Sequence, residues 1–367
     1  MIQDKLSGQE KSFIKNYAAT QSDDDSCQCE KLWTNNIAKS FSDSLLLFLS
    51  KKDAKIWEGY SLEKPVIVLN GGQLLNGRNC IRVFKNGKIL TAQAMESVPA
   101  MLTPLYSYYL DYSHQGNIED STFFKTVRTG SDFHILMRSL QVDAAVYMPV
   151  EFPKFPFTIP TLTKIQLALH ESFHIEVQLR YWYTQRGKWP AWDKQPDRQS
   201  VQLCYSYNDS LKTMIRAERN YLSLMIEALL ENDKQKAIKT GQEFIDSREK
   251  RYALVQPVKI KSKEGDYIDC REAEDILELE EGLADYASWT ILFNTGLVSK
   301  TGLLQRYRAE QLEYFYLTGA MLFHTMTLME QVDGKKLSKR VWNSSNSKKG
   351  GLYELFKKSF QSFSDNR

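Results

Sequence analysis

Apolar residues recur at helical spacing from Asn35 to Tyr60, after an acidic loop at Gln21 to Ser26. The pattern then changes. Pro65 to Leu69 (PVIVL) is a short β-branched run that predicts a strand, with Asn70-Gly71-Gly72 as the turn behind it. The runs IRVF and ILTA flank Lys85-Asn86-Gly87-Lys88, and Asn-Gly between two apolar runs predicts a hairpin. Asp143 to Met148 predicts a further strand, which Pro149 either ends or marks as an edge. Read as an edge, Ala144 to Met148 could pair with an extended peptide. Beyond Pro160 the period lengthens. Leu162, Ile165, Leu169, Phe173 and Val177 predict a helix over 161–183, followed by a turn-rich aromatic connection at Lys188 to Arg198. Helical patterns follow at about 209–232, 234–254, 271–294 and 302–331, then a basic, Ser-rich loop from Ser338 to Gly351 and a last short amphipathic helix.

These elements predict an α+β chain with a small β-containing N-terminal lobe and a mostly helical C-terminal lobe. The expected segments are 1–63 (mixed and helical), 64–160 (the β-containing lobe), 161–333 (the helical lobe, with a helical insertion over about 185–270) and 334–367 (basic loop and terminal helix). Composition narrows the class. Apolar residues at 42% and charged residues at 25% exclude a disordered chain, a collagen-like repeat and a coiled-coil rod. The 48 basic against 45 acidic residues give no basic excess of the kind a nucleic-acid partner requires. The apolar run Leu45 to Leu49 is far too short to span a bilayer. The expectation is a soluble protein, cytoplasmic as written or exported if a signal has been removed. The five cysteines are few, odd in number and spread along the chain, so no disulfide framework is expected; Cys27 and Cys29 read as loop thiols.

Only five histidines occur, and two of them stand in His170-Glu171-Ser172-Phe173-His174. On a helix, residues four apart lie about 40° from each other around the axis, so both imidazoles project from one face. Two nitrogen ligands on a rigid face suit Zn²⁺, and Glu171 sits at the edge of that face, where it can act as general base on a metal-activated water. Glu176 falls about 200° round from His174 and faces elsewhere. A satisfied core or loop position is the expectation for His114, His134 and His324.

Downstream, Glu281-Gly282-Leu283-Ala284-Asp285 and Tyr316-Leu317-Thr318-Gly319-Ala320 complete a set of motifs that resembles the gluzincins, the thermolysin-like and aminopeptidase N-like metallopeptidases. The resemblance implies a zincin-like fold, one Zn²⁺ held by His170, His174 and Glu281, Asp285 accepting a hydrogen bond from His170, and Tyr316 donating to the reacting carbonyl oxygen. Glu278, on a similar face, is the substitute ligand, and Tyr314 is the competitor of Tyr316. The chain departs from the family in the long stretch between His174 and Glu281. Its helical pair over 208–254 either roofs a cleft or packs structurally. Arg248 and Arg251 near its end read as a solvated basic face, or alternatively as a grip for a substrate carboxylate. The acids from Glu272 to Glu280 likewise read as a solvated helix face. Gly282 inside a helix costs about 1 kcal/mol relative to Ala, so a close approach of another helix or of a ligand is expected there. The expected function is zinc-dependent hydrolysis of a peptide or protein substrate. The alternatives are a catalytically silent zincin-like binding protein and a metal-dependent hydrolase of a non-peptide amide or ester.

Overall fold

The structure, a computed structural model, describes residues 31, 33–34, 36–50, 56–62, 66–73, 79–85, 88–95, 106–109, 124–126, 144–149, 160–178, 201, 204–205, 208–255, 258–261, 267–308, 314–345 and 351–365. The acidic loop, Cys27, Cys29, His114, His134 and the Lys188 to Arg198 connection lie outside these. The chain divides into two compact units: residues 1–52 with 61–176, and residues 53–60 with 177–367. This boundary falls inside the segment expected as one helical lobe, just behind the histidine motif. The expected terminal segment 334–367 belongs to the second unit.

The first unit is built on a six-stranded sheet. Its strands are β1 (Val66–Gln73), β2 (Asn79–Lys85), β3 (Lys88–Met95), β4 (Tyr106–Tyr109), β5 (Phe124–Thr126) and β6 (Ala144–Pro149), in the order β3-β2-β1-β6-β4-β5. β2 and β3 form the hairpin that Asn86-Gly87 predicts, with Lys85 opposite Lys88. Two expectations are corrected. Asn70-Gly71-Gly72 does not turn; β1 runs through it to Gln73, and the glycines coincide with a register shift against β2. Nor is β6 an edge: it pairs in parallel with β1 and antiparallel with β4. Pro149 is tolerated because it is the last residue of the strand. A peptide therefore has no free edge to pair with at Ala144 to Met148. Helix α1 (Asn36–Ser50) packs against β3, and α2 (Thr161–Phe173) against β4, β6 and α1. α2 buries Ile165, Ala168, Leu169 and Phe173, and the buried Lys164 ammonium lies 5.8 Å from the Phe41 ring centre. A π-helical turn, His174–Gln178, continues α2.

The second unit is mostly helical: α3 (Asp209–Leu230), α4 (Lys234–Val255), a two-stranded β7 (Lys259–Lys261) and β8 (Tyr267–Asp269), α5 (Cys270–Leu277), a π-helical turn (Glu278–Gly282), α6 (Leu283–Asn294), α7 (Lys300–Arg308), α8 (Tyr314–Glu330), α9 (Gly334–Ser345) and α10 (Leu352–Asp365). α8 is buried along nearly its whole length and touches α3, α5, α6, α9, α10 and the π-helical turn. The start of the basic, Ser-rich stretch is not a loop: α9 extends through Ser345 and buries Leu337, Ser338 and Val341. Residues 56–60 also pack here. The Trp57 ring lies 5.0 Å from that of Phe323, the Glu58 amide donates to Ser338 Oγ, and Gly334 lies against the Ile56 carbonyl.

Two cysteine pairings correct the expectation of free thiols. Cys204 and Cys270 form a disulfide that fastens the segment before α3 to the first residue of α5, and Cys80, buried in β2, is disulfide-bonded as well. Connectivity of this kind is not legible from spacing. Among the described residues no helix is long and apolar enough to cross a membrane.

Candidate metal centre

α2 starts behind Pro160, which keeps its own backbone extended and cannot continue a helix backwards. Its apolar stripe fixes the rotation of the helix on the sheet, and that rotation turns His170 and His174 the same way. Both histidines are buried, and Glu171 is partly exposed. The two Nε2 atoms lie 3.0 Å apart with the rings close to perpendicular. One ligand atom from each of His170, Glu171 and His174 falls within 4.8 Å of the others, so the group could hold a metal ion. The spacing fits: two nitrogens at bonding distance from one tetrahedral ion lie about 3.3 Å apart. A hydrogen bond between the rings uses one Nε2–H and one lone pair, whereas a shared ion takes both lone pairs.

Glu176 is occupied elsewhere, in line with its angle on the helix. Its carboxylate accepts from the backbone amides of Ser61 and Leu62, each at 2.8 Å, and from Ser61 Oγ. These bonds hold Leu62 at a φ of 55°, a left-handed conformation that a leucine adopts only under constraint.

Glu281, Asp285 and Tyr316 all lie in the second unit. Glu281 is buried within the π-helical turn Glu278–Gly282. Widened turns of this type concentrate at functional positions. Gly282 has the close approach its sequence position implies. A Cβ there would come within 2.5 Å of the Gly319 Cα, and a Cβ on Gly319 would come within 2.3 Å of the Glu278 carbonyl oxygen. The glycines of the two motifs therefore let two helical backbones cross in contact. Asp285 is buried and accepts from Arg306 at 3.4 Å. Tyr316 is buried on α8, and the side chain of Tyr314 lies outside the described residues. His324 is a satisfied core residue. Its Nδ1 is 3.0 Å from the Tyr307 hydroxyl, and burial lowers its pKa to about 4.

The structure replaces two expected solvated faces with one buried ion network. Arg248 and Arg251 on α4 have no exposed surface, and neither do Glu218 on α3, Glu274 on α5 and Glu278. Arg251 grips Glu218 with Nε and Nη2, at 2.6 and 2.8 Å, and Glu274 with Nη1 and Nη2, at 2.7 and 2.6 Å. Arg248 donates to Glu274 and Glu278, and the Tyr205 hydroxyl donates to Glu274. The rings of Tyr252 and Tyr353 lie about one ring's width from the Arg248 guanidinium, with centres 5.3 and 4.9 Å away. Burial pushes the Glu274 carboxyl up, but Arg251 and Arg248 outweigh it and hold the pKa near 2. For Glu278, burial together with Glu274 and Asp275 prevails over Arg248, and its pKa rises to about 8. Glu278 is thus committed to Arg248, which argues against it as the substitute ligand. Arg248 and Arg251 are likewise buried and bonded to the chain's own carboxylates, which argues against them as a grip for a substrate carboxylate. The signal for this was present in the chain. Ala237, Gly241, Phe244, Arg248, Arg251 and Val255 form one stripe at helical spacing, as do Leu211, Ile215, Glu218, Leu222 and Met225. A charge on the apolar stripe of each facing helix predicts a buried pair.

No family model, no curated protein and no solved structure matches this chain.

Proposed function

We propose that the chain is a zinc-dependent hydrolase with a zincin-like fold, acting on the peptide bond of a peptide or protein. One observation carries the reading: the Nε2 atoms of His170 and His174 converge to 3.0 Å in a buried setting, with the Glu171 carboxylate in the same cluster. Two converging imidazoles suit zinc as ligands, and a carboxylate beside them suits a general base on its bound water. Zinc, when bound, would act as a Lewis acid and lower the pKa of a coordinated water toward about 7.

The chain's own residues have the following roles in this reading. His170 and His174 present neutral Nε2 lone pairs. Glu171, the least buried of the three, takes a proton at its carboxylate and returns it to the leaving amine. Glu281 is the third ligand, Asp285 fixes the tautomer of His170, and Tyr316 donates to the reacting carbonyl oxygen. These three assignments come from the resemblance of their motifs to the gluzincins. The burial of Glu281 in a π-helical turn supports its assignment.

Metal analysis of wild type beside H170A and E281A tests the ligands. The expected result is about one zinc per wild-type chain and loss of zinc from both variants; stoichiometric zinc retained in both removes the assignment. E171Q is expected to keep zinc and to lose peptide cleavage by about 100-fold or more. Full cleavage by E171Q would refute the role of Glu171. A zinc-loaded wild type that cleaves no member of a peptide library would point to the silent binding protein, and turnover of esters alone to the non-peptide hydrolase.

A further inference from the structure

We infer that Gln178 is a positioning residue for Glu281: its side-chain amide braces the π-helical turn that carries Glu281. The inference rests on the metal-centre reading above. Gln178 closes the turn His174–Gln178, so its backbone is joined to His174 through a single widened turn of helix. Its side chain is buried, and its Nε2 donates to the Glu280 carbonyl oxygen at 2.7 Å. That carbonyl belongs to the peptide plane between Glu280 and Glu281. Fixing the plane fixes the backbone from which the Glu281 side chain springs.

The local chemistry explains why the bond forms there and why the donor is an amide. A π-helical turn departs from the regular i to i−4 hydrogen-bond ladder, so its carbonyls are open to other donors, and a buried carbonyl needs one. The turn Glu278–Gly282 carries three carboxyl side chains. A lysine or arginine at position 178 would bring a charge that competes with an ion for the Glu281 carboxylate. The glutamine amide donates without that charge. Other contacts act at the ends of this turn: Arg248 bonds the Glu278 side chain, and Gly319 abuts the Glu278 backbone and Gly282. They hold the two ends of the turn, whereas Gln178 acts at the peptide leading directly into Glu281.

The test uses the full chain and zinc alone. Q178M keeps the length and burial of the side chain but removes the donor. T325V, which removes a buried hydroxyl bonded to the Met321 carbonyl in α8, serves as a control for general loosening. Zinc dissociation constants come from competition with a chromophoric chelator. The visible absorption of the cobalt(II)-substituted protein reports ligand geometry, which a merely structural effect would leave unchanged. The expected result is zinc affinity weakened by about 10-fold or more in Q178M, with an altered cobalt spectrum, and T325V like wild type in both. If Q178M does not fold, Q178N, which draws the same amide back by one methylene, carries the same expectation. Wild-type affinity and spectrum in the folded variant overturn the role of Gln178 while leaving the metal centre intact. A wild type that takes up no stoichiometric zinc overturns both.

Discussion

The histidine pair and the ion network are both buried clusters of ionisable side chains, yet their atoms are arranged by opposite rules. In the network each charge meets its opposite: Arg248 and Arg251 face Glu218 and Glu274, while burial and neighbouring acids keep Glu278 toward its neutral form. The Arg251 fork is filled by two carboxylates, whereas Arg248 bonds through Nη2 and leaves its Nε and Nη1 without a hydrogen-bond partner among the described residues. The histidine pair instead brings two like nitrogens to 3.0 Å, beside a carboxylate. Two lone-pair donors complement an electrophile better than they complement each other. Complementary groups hold a fold together, whereas redundant donors converging on one point offer a place for chemistry. A five-residue motif marked the second cluster, whereas the first left only charges set in the apolar stripes of two helices, and the tertiary arrangement supplies their partners.

This contrast predicts where substitutions act. The largest effect is expected from R251A, which leaves buried Glu218 with only Arg248 at 3.8 Å and takes from Glu274 one of its two arginines, and should cost about 3–5 kcal/mol of unfolding free energy in denaturant titration. H174A in metal-free protein should cost far less, and equal losses would erase the distinction between the clusters. An intermediate effect is expected from G319A. The added Cβ meets the Glu278 backbone, which cannot yield as a side chain does, so about 1–3 kcal/mol should be lost. A cost near zero would mean that the two helices are not in backbone contact.

The smallest effect concerns pH. The folded-state pKa of Glu278 is raised to about 8 from an ordinary value of 4.5, so folding favours its protonated form. Its stabilisation is complete below about pH 4.5 and is lost as the pH rises through about 8. E278Q cannot ionise and should flatten the fall in Tm over this window, with the clearest gain over wild type near pH 8. An unchanged slope would show that Glu278 is ionised in the native protein.

Much of the fold was legible because short-range chemistry decides it. Asn86-Gly87 specified the hairpin, the spacing of His170 and His174 specified a shared face, and Gly282 announced a close backbone contact. What escaped depends on partners distant in sequence. Arg248 and Arg251 look solvated until Glu218, Glu274 and Glu278 are brought against them. The pairing of Cys204 with Cys270 has no local signature. Pro149 suggested an edge because proline cannot donate to a ladder, but at the last residue of β6 the missing donor costs nothing to the pairing. The relation of Glu281, Asp285 and Tyr316 to the histidines rests on motif likeness, which spacing alone cannot convert into geometry.

The short run from Ile56 to Tyr60 has a consequence for how the protein is made. It belongs to the second unit although it leaves the ribosome among the residues of the first, and the partner of the Glu58 amide, Ser338, is synthesised 280 residues later. Trp57, fully buried in the finished protein, must wait for Phe323 before it is covered. Contacts of such long range slow folding and leave apolar surface exposed meanwhile. No single cut separates the units intact either. A fragment beginning at Val177 lacks Trp57, and one ending at Glu176 carries it without Phe323, so a cut at this boundary divides the second unit rather than releasing it.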